Sequence, residues 1–465
     1  TNSASPKLLW EKPLPDGTLT TSTPAIIRLV NSTGTDQTDK NGKWYVVIGS
    51  GPTSITTNTV NYKSSNAKIF VFDLRTGENM TKGADNTDMT SDDGLDIGAS
   101  GVAVGDMMAV DMDSDYQVDD IYFGTYGGTG AAGKGKLYRL TLRNDPDVNT
   151  KSYQTTPSSW ALSTAVVPGN ESGTNPNGRP IFASPEIAQD SSGNIWLYFG
   201  TGVYLSAEHA TSPAPNEYLY GFKESAYCWK GITASCSTYS KFLDSTNITI
   251  TGAQATELGC FCAGNLMSTI ACSPPGTCSS CGGLDTVVTK VTNATLSGYS
   301  GTGTPNCDGT KDTAAIDCLT SRINSDGCSS AVCDGWKRTI TGQKSFSKPF
   351  VAGGLANYTS FEPQSTSCSL GGNTHLIALH YTTGTAYVQP TIFLAGGTSG
   401  ATTSLTISAS VNLGIGVPPL GESLVALPLS GDTYKVITQV SGGLPGTSMA
   451  PSLPAKSGYV LWIVK

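Results

Sequence analysis

The hydrophobic pattern of this chain is a succession of short apolar strands separated by turns rich in Gly, Ser, Thr and Asn. A loose phrase recurs: a short segment around Pro, a strand that ends in Gly, and a strand of alternating aromatic and aliphatic residues. Alternation with a period of two is typical of β-strands, and clusters of Gly and Asn are typical of tight turns. The pattern therefore predicts an all-β protein.

The phrase is clearest in the first half of the chain and becomes fainter later. A fourth copy covers 347–354 and 375–384, and further strands fall at 422–429, 433–440, 447–454 and 458–465. The clear copies cover 22–30, 43–51 and 67–77, then 101–111, 119–128 and 135–142, then 182–188, 194–202 and 217–224.

Three or four strands per unit, repeated in this way, predict a β-propeller of about 5–7 blades. A sandwich or a solenoid is the alternative. Each blade has an apolar face that only its neighbours can bury, so the ring must close on itself. The apolar segments 7–14 and 458–465 are the predicted partners for that closure.

Cysteine is concentrated in one part of the chain. Of 12 cysteines, all but Cys368 lie between Cys228 and Cys333, in a stretch that breaks the strand rhythm. An even, clustered count predicts disulfides made in an oxidising compartment, and the C-x-x-C at 278–281 is also read as disulfide-forming, without a second pair for zinc. We therefore predict three regions: a first propeller part (1–227) that contains the acidic loop described below, a disulfide-stapled insertion (228–345) and a second propeller part (346–465).

Charge is sparse and acidic. Charged residues make up 14% of the chain, the net charge is −8 and the pI is near 5.0, which argues against a nucleic-acid partner. No apolar run approaches the roughly 18 residues of a membrane-spanning helix. The opening "TNSASP" is not a signal peptide. We expect a trimmed or processed start and leave open whether a further domain precedes it.

The stretch "VDMDSDYQVDDIYFG" (110–124) carries the strongest chemical signal. Alternate carboxylates repel one another, so a cation is expected to offset the cost. With Asp111 as position 1, side-chain oxygens recur at positions 3, 5 and 9 and a backbone carbonyl falls at position 7, as in a calcium loop of the EF-hand kind. The predicted Ca²⁺ ligands are Asp111, Asp113, Asp115, Gln117 (through its carbonyl) and Asp119.

This loop departs from an EF-hand in two ways. Position 6 is Tyr116 rather than Gly, and position 12 is Tyr122 rather than a bidentate Glu. The sequence therefore predicts a short calcium loop between two strands, with water or Asp120 completing the shell; a solvated acidic turn is the alternative. A second acidic run, 85–96, is looser in spacing and is interpreted as a solvated loop, with a second ion as the other possibility.

Several of these stretches together resemble the PilC/PilY1 family of type IV pilus tip-associated proteins. The stretch "GDMMAVDMDSDYQVDDIYFGTYGG" with "GKLYRLTL" resembles the family's signature blade, and 178–205 with 218–222 resembles its next blade. The later stretch 348–384 resembles the blade after the insertion. The resemblance is scattered over about the first 385 residues and is specific in combination.

The resemblance implies a fold like the family's C-terminal β-propeller, with its calcium loop on Asp111, Asp113, Asp115, Gln117 and Asp119. It implies a calcium-dependent, non-enzymatic adhesin and biogenesis factor, in which calcium governs pilus extension and retraction. It also implies export to the pilus tip or outer cell surface and partnership with minor pilins. The surface receptor stays open.

Two other functions stay open at this point. One is a quinoprotein-like dehydrogenase, because such enzymes also use Gly- and Trp-rich propeller blades and calcium, held in a central channel. The other is a non-catalytic propeller that serves as a scaffold for outer-membrane assembly.

Overall fold

The computed structural model describes residues 8–450 apart from 31–41, 84–89, 91–92, 130–132, 211–215, 233–234, 255–257, 261–285, 289–290, 300–305, 329–330, 365–370, 390, 392–404, 423, 429–433 and 440–444. Strands are the main regular secondary structure of the described part, and they form mostly antiparallel sheets that follow one another along the chain. The prediction of an all-β fold is confirmed.

The first two sheets are four-stranded, and each is built from consecutive chain. The strands are β1 (Ala25–Leu29), β2 (Lys43–Gly49), β3 (Ser54–Ile55), β4 (Val60–Asn61), β5 (Asn66–Asp73), β6 (Leu95–Ser100), β7 (Ala103–Val110), β8 (Asp120–Tyr126), β9 (Leu137–Thr141) and β10 (Ala161–Val166). The first sheet has the order β1-β2-β5-β6 and the second β7-β8-β9-β10, while β3 and β4 form a separate hairpin.

The third sheet is completed by a strand from far along the chain. Its elements are β11 (Glu186–Gln189), β12 (Ile195–Gly200), β13 (Glu217–Lys223), the short helix α1 (Ala226–Trp229), β14 (Phe242–Asp244), β15 (Thr249–Gln254), β16 (Leu258–Cys260), β17 (Thr286–Val288), β18 (Val291–Ser297), helix α2 (Thr313–Ile323) and β19 (Gly335–Ile340). The order is β11-β12-β13-β19-β14, so β19 pairs with β13 across the cysteine-rich segment, inside the range assigned to the insertion.

The remaining described strands form a fourth sheet and part of a fifth. They are β20 (Ser347–Lys348), β21 (Phe350–Ala352), β22 (Leu355–Pro363), β23 (Gly372–His380), β24 (Leu405–Thr406), β25 (Ser410–Ile415), β26 (Gly421–Glu422), β27 (Leu424–Pro428), β28 (Tyr434–Gln439) and β29 (Pro445–Ala450). The fourth sheet has the order β21-β22-β23-β25 and the next β27-β28-β29. Smaller pairings are β18-β15-β24, β16-β17 and the parallel pair β20-β26.

A Gly at or near the end of the second strand of each of the first three sheets has a packing reason. At each one, an added Cβ would lie 2.3 Å from a side chain in, or shortly before, the following sheet, so only Gly permits the close approach. The next residue then accepts a backbone hydrogen bond from the same neighbour at 2.8–2.9 Å. The pairs in contact are Gly49 with Val104, Gly124 with Ile181 and Gly200 with Ser345.

Hydrophobic cores lie between consecutive sheets. Ile27, Val47, Val104 and Phe123 belong to one cluster, which joins the first and second sheets. A second cluster joins the second and third sheets, and a third joins the third and fourth sheets with α2. Each sheet therefore depends on its neighbours for burial, which is how propeller blades pack.

A separate aromatic cluster draws on several sheets at once. Tyr126, Phe182, Phe346 and Phe361 pack together near the starts of the second, third and fourth sheets, with Tyr62 of the segment after β4 against them. A four-stranded meander is the repeating unit of a propeller. The closed ring and its blade number stay predictions, because 458–465 lie outside the described residues.

The cysteine-rich segment contains the predicted kind of cross-link. Disulfides join Cys228 to Cys236, Cys307 to Cys318 and Cys328 to Cys333. The predicted disulfide at 278–281 and Cys368 lie outside the described residues. The prediction of disulfides is confirmed, and the three-region division of the chain stays a prediction.

Candidate metal centre

The acidic loop 111–119 joins β7 to β8. Both strands are almost wholly buried, and they hold the ends of the loop together through the pairing of Val110 with Asp120. The Asp119 amide also donates to the Val110 carbonyl at 2.8 Å. The apolar strands therefore fix the base of the loop, and the carboxylates project from it.

The backbone of the loop curls tightly around Asp111. Ser114 and Tyr116 adopt left-handed conformations, with φ of +59° and +69°. Asp111 Oδ1 accepts from the Asp115 amide at 3.1 Å, and its Oδ2 accepts from the Tyr116 amide at 2.7 Å. Tyr116 thus adopts the conformation that a Gly at this position would favour, and the two hydrogen bonds offset part of its strain.

Three of the predicted ligands converge. One carboxylate oxygen from each of Asp111, Asp113 and Asp115 lies within 4.8 Å of the other two. Asp111 is buried, with 3% of its surface exposed, whereas the Asp113 side chain is 29% exposed. Three hard carboxylate oxygens facing one another fit a divalent cation such as Ca²⁺. The donor set therefore suits a metal ion.

Asp119 and Gln117 are not part of the converging group, and their side chains make other hydrogen bonds. Asp119 Oδ2 accepts from the Met112 amide at 2.6 Å, which holds the carboxylate inside the loop. The Gln117 side chain accepts from the Val30 amide at 2.7 Å, so the loop is tied to the end of the first sheet. Both residues stay predicted ligands, Gln117 through its backbone carbonyl. Their side chains accept hydrogen bonds from the Met112 and Val30 amides.

Asp120 lies on the other face of β8. Thr141 donates to its Oδ1 at 2.6 Å, and its buried Oδ2 has no hydrogen-bond partner among the described residues. Complete burial raises the pKa of Asp120 well above its usual range, with Arg139 opposing the shift. Asp120 is therefore buried beside Arg139 and is not one of the three converging carboxylates.

Cations from the segment after β9 contact the loop. Arg143 Nη1 donates to Asp113 at 2.7 Å and to Asp119 at 3.1 Å. Lys151 Nζ lies 3.1 Å from Asp113 and also contacts Asp115. Positive charge is thus already directed at the carboxylates by the protein itself.

Tyr153 adds a hydroxyl donor to the same group. Its OH donates to Asp119 Oδ1 at 2.8 Å and lies 3.1 Å from Asp115 Oδ2. Its ring also lies under the guanidinium of Arg143, 5.4 Å from the ring centroid. Tyr153 therefore connects the rim of the loop to the buried cation.

Burial raises the pKa values of two loop carboxyls. Desolvation is the main cause for Asp111, although the amides of Tyr116 and Asp115 oppose it. Desolvation, and then the charge of Asp113, raise the pKa of Asp119 to about 6, against the guanidinium of Arg143. Burial therefore makes ionisation of these two carboxyls costly, and a bound cation would lower that cost.

Arg143 is held from behind by other residues. Asp145 pairs with it through Nε at 3.2 Å and also contacts Nη2. The ring of Trp229, in α1, lies 5.0 Å from its guanidinium carbon. The Cys228–Cys236 disulfide joins the end of α1 to the chain that follows it, so the cysteine-rich segment supports the acidic loop indirectly.

The second acidic run gives a different picture where it is described. Asp93 is buried and accepts from Asn79 at 2.8 Å, from the Gly83 amide at 2.7 Å and from the Thr90 amide at 3.1 Å. Asp96 is exposed. Asp93 is thus a structural acceptor, and most of the remaining run lies outside the described residues.

The sequence pattern identified the carboxylates but missed their protein partners. Arg143, Lys151 and Tyr153 follow β9, and they reach the loop only because β9 pairs with β8 in the second sheet. Their stretch "RNDPDVNTKSY" is an ordinary charged loop in sequence. Trp229 is nearly 90 residues further on. No spacing rule connects these residues to the aspartates.

The chain is similar to known proteins of type IV pili in sequence and in fold. Over 196 residues, 40% of this chain, it is 27% identical to a protein of Xylella fastidiosa (strain Temecula1) named type IV pilus biogenesis factor PilY1 homolog. The match covers 11% of that protein's length. No family model matches the chain. Among the described residues, no helix is both long and apolar enough to span a bilayer.

The fold gives a broader match. The crystal structure of the Pseudomonas aeruginosa PilY1 C-terminal domain superimposes with a TM-score of 0.56 at 16% identity, covering 96% of this chain and 76% of that one. At this identity the likeness concerns the fold. The resemblance to the PilC/PilY1 family is therefore confirmed, by sequence over part of the chain and by fold over nearly all of it.

Proposed function

We propose that this chain is a calcium-binding, non-enzymatic factor of type IV pili that takes part in pilus biogenesis and attachment. The similarity to a protein named for pilus biogenesis supports the first part. The observation that carries the calcium proposal is the convergence of Asp111, Asp113 and Asp115 within 4.8 Å in one loop. The proposed ligand set is that of the sequence, with Gln117 and Asp119 completing it.

The proposed role of calcium is structural first. A divalent cation supplies positive charge that offsets the repulsion among the carboxylates. Asp111 already organises the loop through the amides of Asp115 and Tyr116, and Gln117 ties the loop to the first sheet. Ion binding would therefore fix the surface at the junction of the first and second sheets.

That surface contains exposed apolar groups. Tyr116 is 61% exposed and Ile26 is 50% exposed, and both line a small pocket beside the loop together with Trp44 and Arg28. In the proposal, calcium orders this surface, and the ordered surface contributes to attachment and to the balance of pilus extension and retraction.

The proposed location is the pilus tip or outer cell surface, with minor pilins as partners. The disulfides support passage through an oxidising compartment. The match to the biogenesis factor covers only 11% of that protein, so pilin contacts outside this chain are part of the proposal.

Calorimetric titration of chelator-treated protein tests the calcium site. Calcium should bind with one site per chain and more tightly than magnesium, which requires stricter octahedral geometry. Asp111→Asn and Asp115→Asn should each abolish or strongly weaken the binding. Asp96→Asn, an exposed carboxylate in the second acidic run, is the control and should titrate like the parent. Absence of calcium binding at millimolar concentration would refute the site.

The cellular role needs a separate experiment with the full-length protein. In a piliated bacterium that carries the gene with Asp111→Asn and Asp115→Asn, surface pili or twitching motility should change while the protein is still exported. Co-purification of minor pilins with the parent protein should be calcium-dependent. Normal piliation, motility and pilin co-purification in the variant would contradict the proposed role.

A further inference from the structure

The charged end of Lys151 lies against the carboxylates that are proposed to bind the cation. Its ammonium lies 3.1 Å from Asp113 and also contacts Asp115, two of the three converging carboxylates. The ammonium therefore neutralises part of the same charge that a metal ion would neutralise.

Arg143, the other cation at the loop, is held quite differently. Its side chain is 1% exposed, paired with Asp145 and flanked by the rings of Trp229 and Tyr153. Moving the guanidinium out of the site would break its buried ion pairs and leave charged groups unpaired in the interior, which is costly. Arg143 is thus a fixed part of the site.

Lys151 has no such anchoring at its charged end. Its side chain is 40% exposed, and the ion pairs of its ammonium are those with Asp113 and Asp115, with the Tyr153 ring 6.0 Å away. It follows a turn in which the Asn149 amide donates to Asp147 at 2.7 Å. Exposed lysine ion pairs are weak, and the long stem lets the ammonium swing into water at little cost.

We infer that Lys151 is a built-in competitor of the metal ion. In the ion-free loop its ammonium stabilises Asp113 and Asp115, and binding of a divalent cation displaces it into solvent. The residue thereby sets the affinity of the site, so that occupancy responds to calcium at higher concentrations than the carboxylates alone would require. This inference rests on the proposed calcium site.

The contacts of Lys151 with Asp113 and Asp115 also account for how the ion-free loop stays folded. Without a counter-charge, the repulsion of Asp113 and Asp115 would open the turn. The Lys151 ammonium limits that opening, and it can still move into solvent when a cation binds. The loop is therefore organised in both states, and only the source of the positive charge changes.

Calorimetric titration of Lys151→Met tests the competition. Met keeps the length and apolar stem but lacks the charge, so calcium should bind about tenfold more tightly than in the parent. Lys151→Arg should bind no more tightly than the parent. Lys82→Met, which removes a partly exposed lysine paired with Glu78, is the matched control and should leave the affinity unchanged. Equal affinities in the parent and Lys151→Met would overturn the inference.

Chemical labelling gives a readout that does not depend on affinity. Acetylation of Lys151 by a lysine-selective reagent, measured by mass spectrometry, should become several-fold faster when calcium is added, while acetylation of Lys82 stays constant. Unchanged labelling of Lys151 in protein that binds calcium would also overturn the inference. If neither the parent nor Lys151→Met binds calcium, the proposed site itself has failed, so the two failures are distinguishable.

Discussion

At the residue scale, an ion pair in the interior of the protein joins Arg139 to Glu224. Both side chains are fully buried, and Arg139 Nη2 donates to the two oxygens of Glu224 at 2.8 and 2.6 Å. Tyr122 donates to the same carboxylate at 2.7 Å, and Tyr239 is also hydrogen-bonded to it. The pair lies between the second and third sheets. It is stable there because both oxygens of Glu224 are hydrogen-bonded and its charge is balanced by Arg139.

Removing one partner should therefore be expensive. Glu224→Gln leaves the guanidinium buried without its counter-charge, and we expect the free energy of unfolding to fall by about 3–5 kcal/mol. Urea denaturation followed by tryptophan fluorescence would measure the change.

Glu78→Gln is the control for this measurement. Glu78 pairs with Lys82 at 3.4 Å, and its side chain is 60% exposed. Such an exposed pair contributes about 0–1 kcal/mol. If both substitutions changed the stability equally, the buried pair would not be the cause.

A buried histidine gives a prediction about pH. His380 is completely enclosed at the end of β23, and burial lowers its pKa to about 3 from an ordinary 6.5. Below pH 6.5 the unfolded chain takes up a proton that the folded chain refuses. This residue therefore destabilises the fold as the pH falls from 6.5 towards 3, by about 1.4 kcal/mol per pH unit.

The variant His380→Asn isolates this contribution. Unfolding free energies of the parent and the variant would be measured between pH 7 and pH 4. The parent should lose more stability than the variant over that range, because Asn does not titrate. Parallel pH profiles would show that His380 is protonated in the folded state.

At the element scale, α1 is important because of what it touches. Trp229 stacks on Arg143, Lys230 donates to the Val148 carbonyl, and the Asp145 amide donates to the Lys230 carbonyl at 3.0 Å. The Cys228–Cys236 disulfide spans eight positions and closes this short segment. The cross-link therefore steadies the segment that supplies Arg143 and Lys151.

Replacing both Cys228 and Cys236 by Ser tests that role. We expect a loss of roughly 2–3 kcal/mol in unfolding free energy. Hydrogen–deuterium exchange should also become faster in residues 143–151, because their neighbour is released.

The Cys328–Cys333 disulfide offers a matched comparison. It closes a segment of similar length that packs against the cluster between the third and fourth sheets. Its removal should lower stability while leaving exchange in 143–151 unchanged. The same exchange pattern in both double variants would argue against a specific link between α1 and the loop.

At the scale of the whole molecule, a bound ion should stabilise the fold by mass action. At a calcium concentration 100 times the dissociation constant, the gain is about 2.7 kcal/mol for one site. Scanning calorimetry with calcium and with chelator should show the melting temperature rise, and the rise should vanish in Asp111→Asn. A calcium-induced rise that survives in Asp111→Asn would place the ion elsewhere.

The strand phrase carried most of the fold information because its cause is local. Period-two alternation and a terminal Gly reflect pleat and close packing, and both can be seen without knowing which sheet lies next. Gly49, Gly124 and Gly200 are examples, since each lies at or near the end of a strand and packs against the chain that leads into, or begins, the following sheet. The pairing of β13 with β19 was not visible in this way, because more than 100 residues separate the two strands.

The sequence by itself determined that this is a β-protein with disulfides and one loop of closely spaced carboxylates, since alternation, cysteine count and aspartate spacing are properties of neighbouring residues. Only the tertiary structure decided which charges meet those carboxylates. Arg143, Lys151 and Trp229 come from other segments, and their approach depends on strand pairing and on the chain around α1. Electrostatic balance is set by distance in space, which spacing along the chain does not encode.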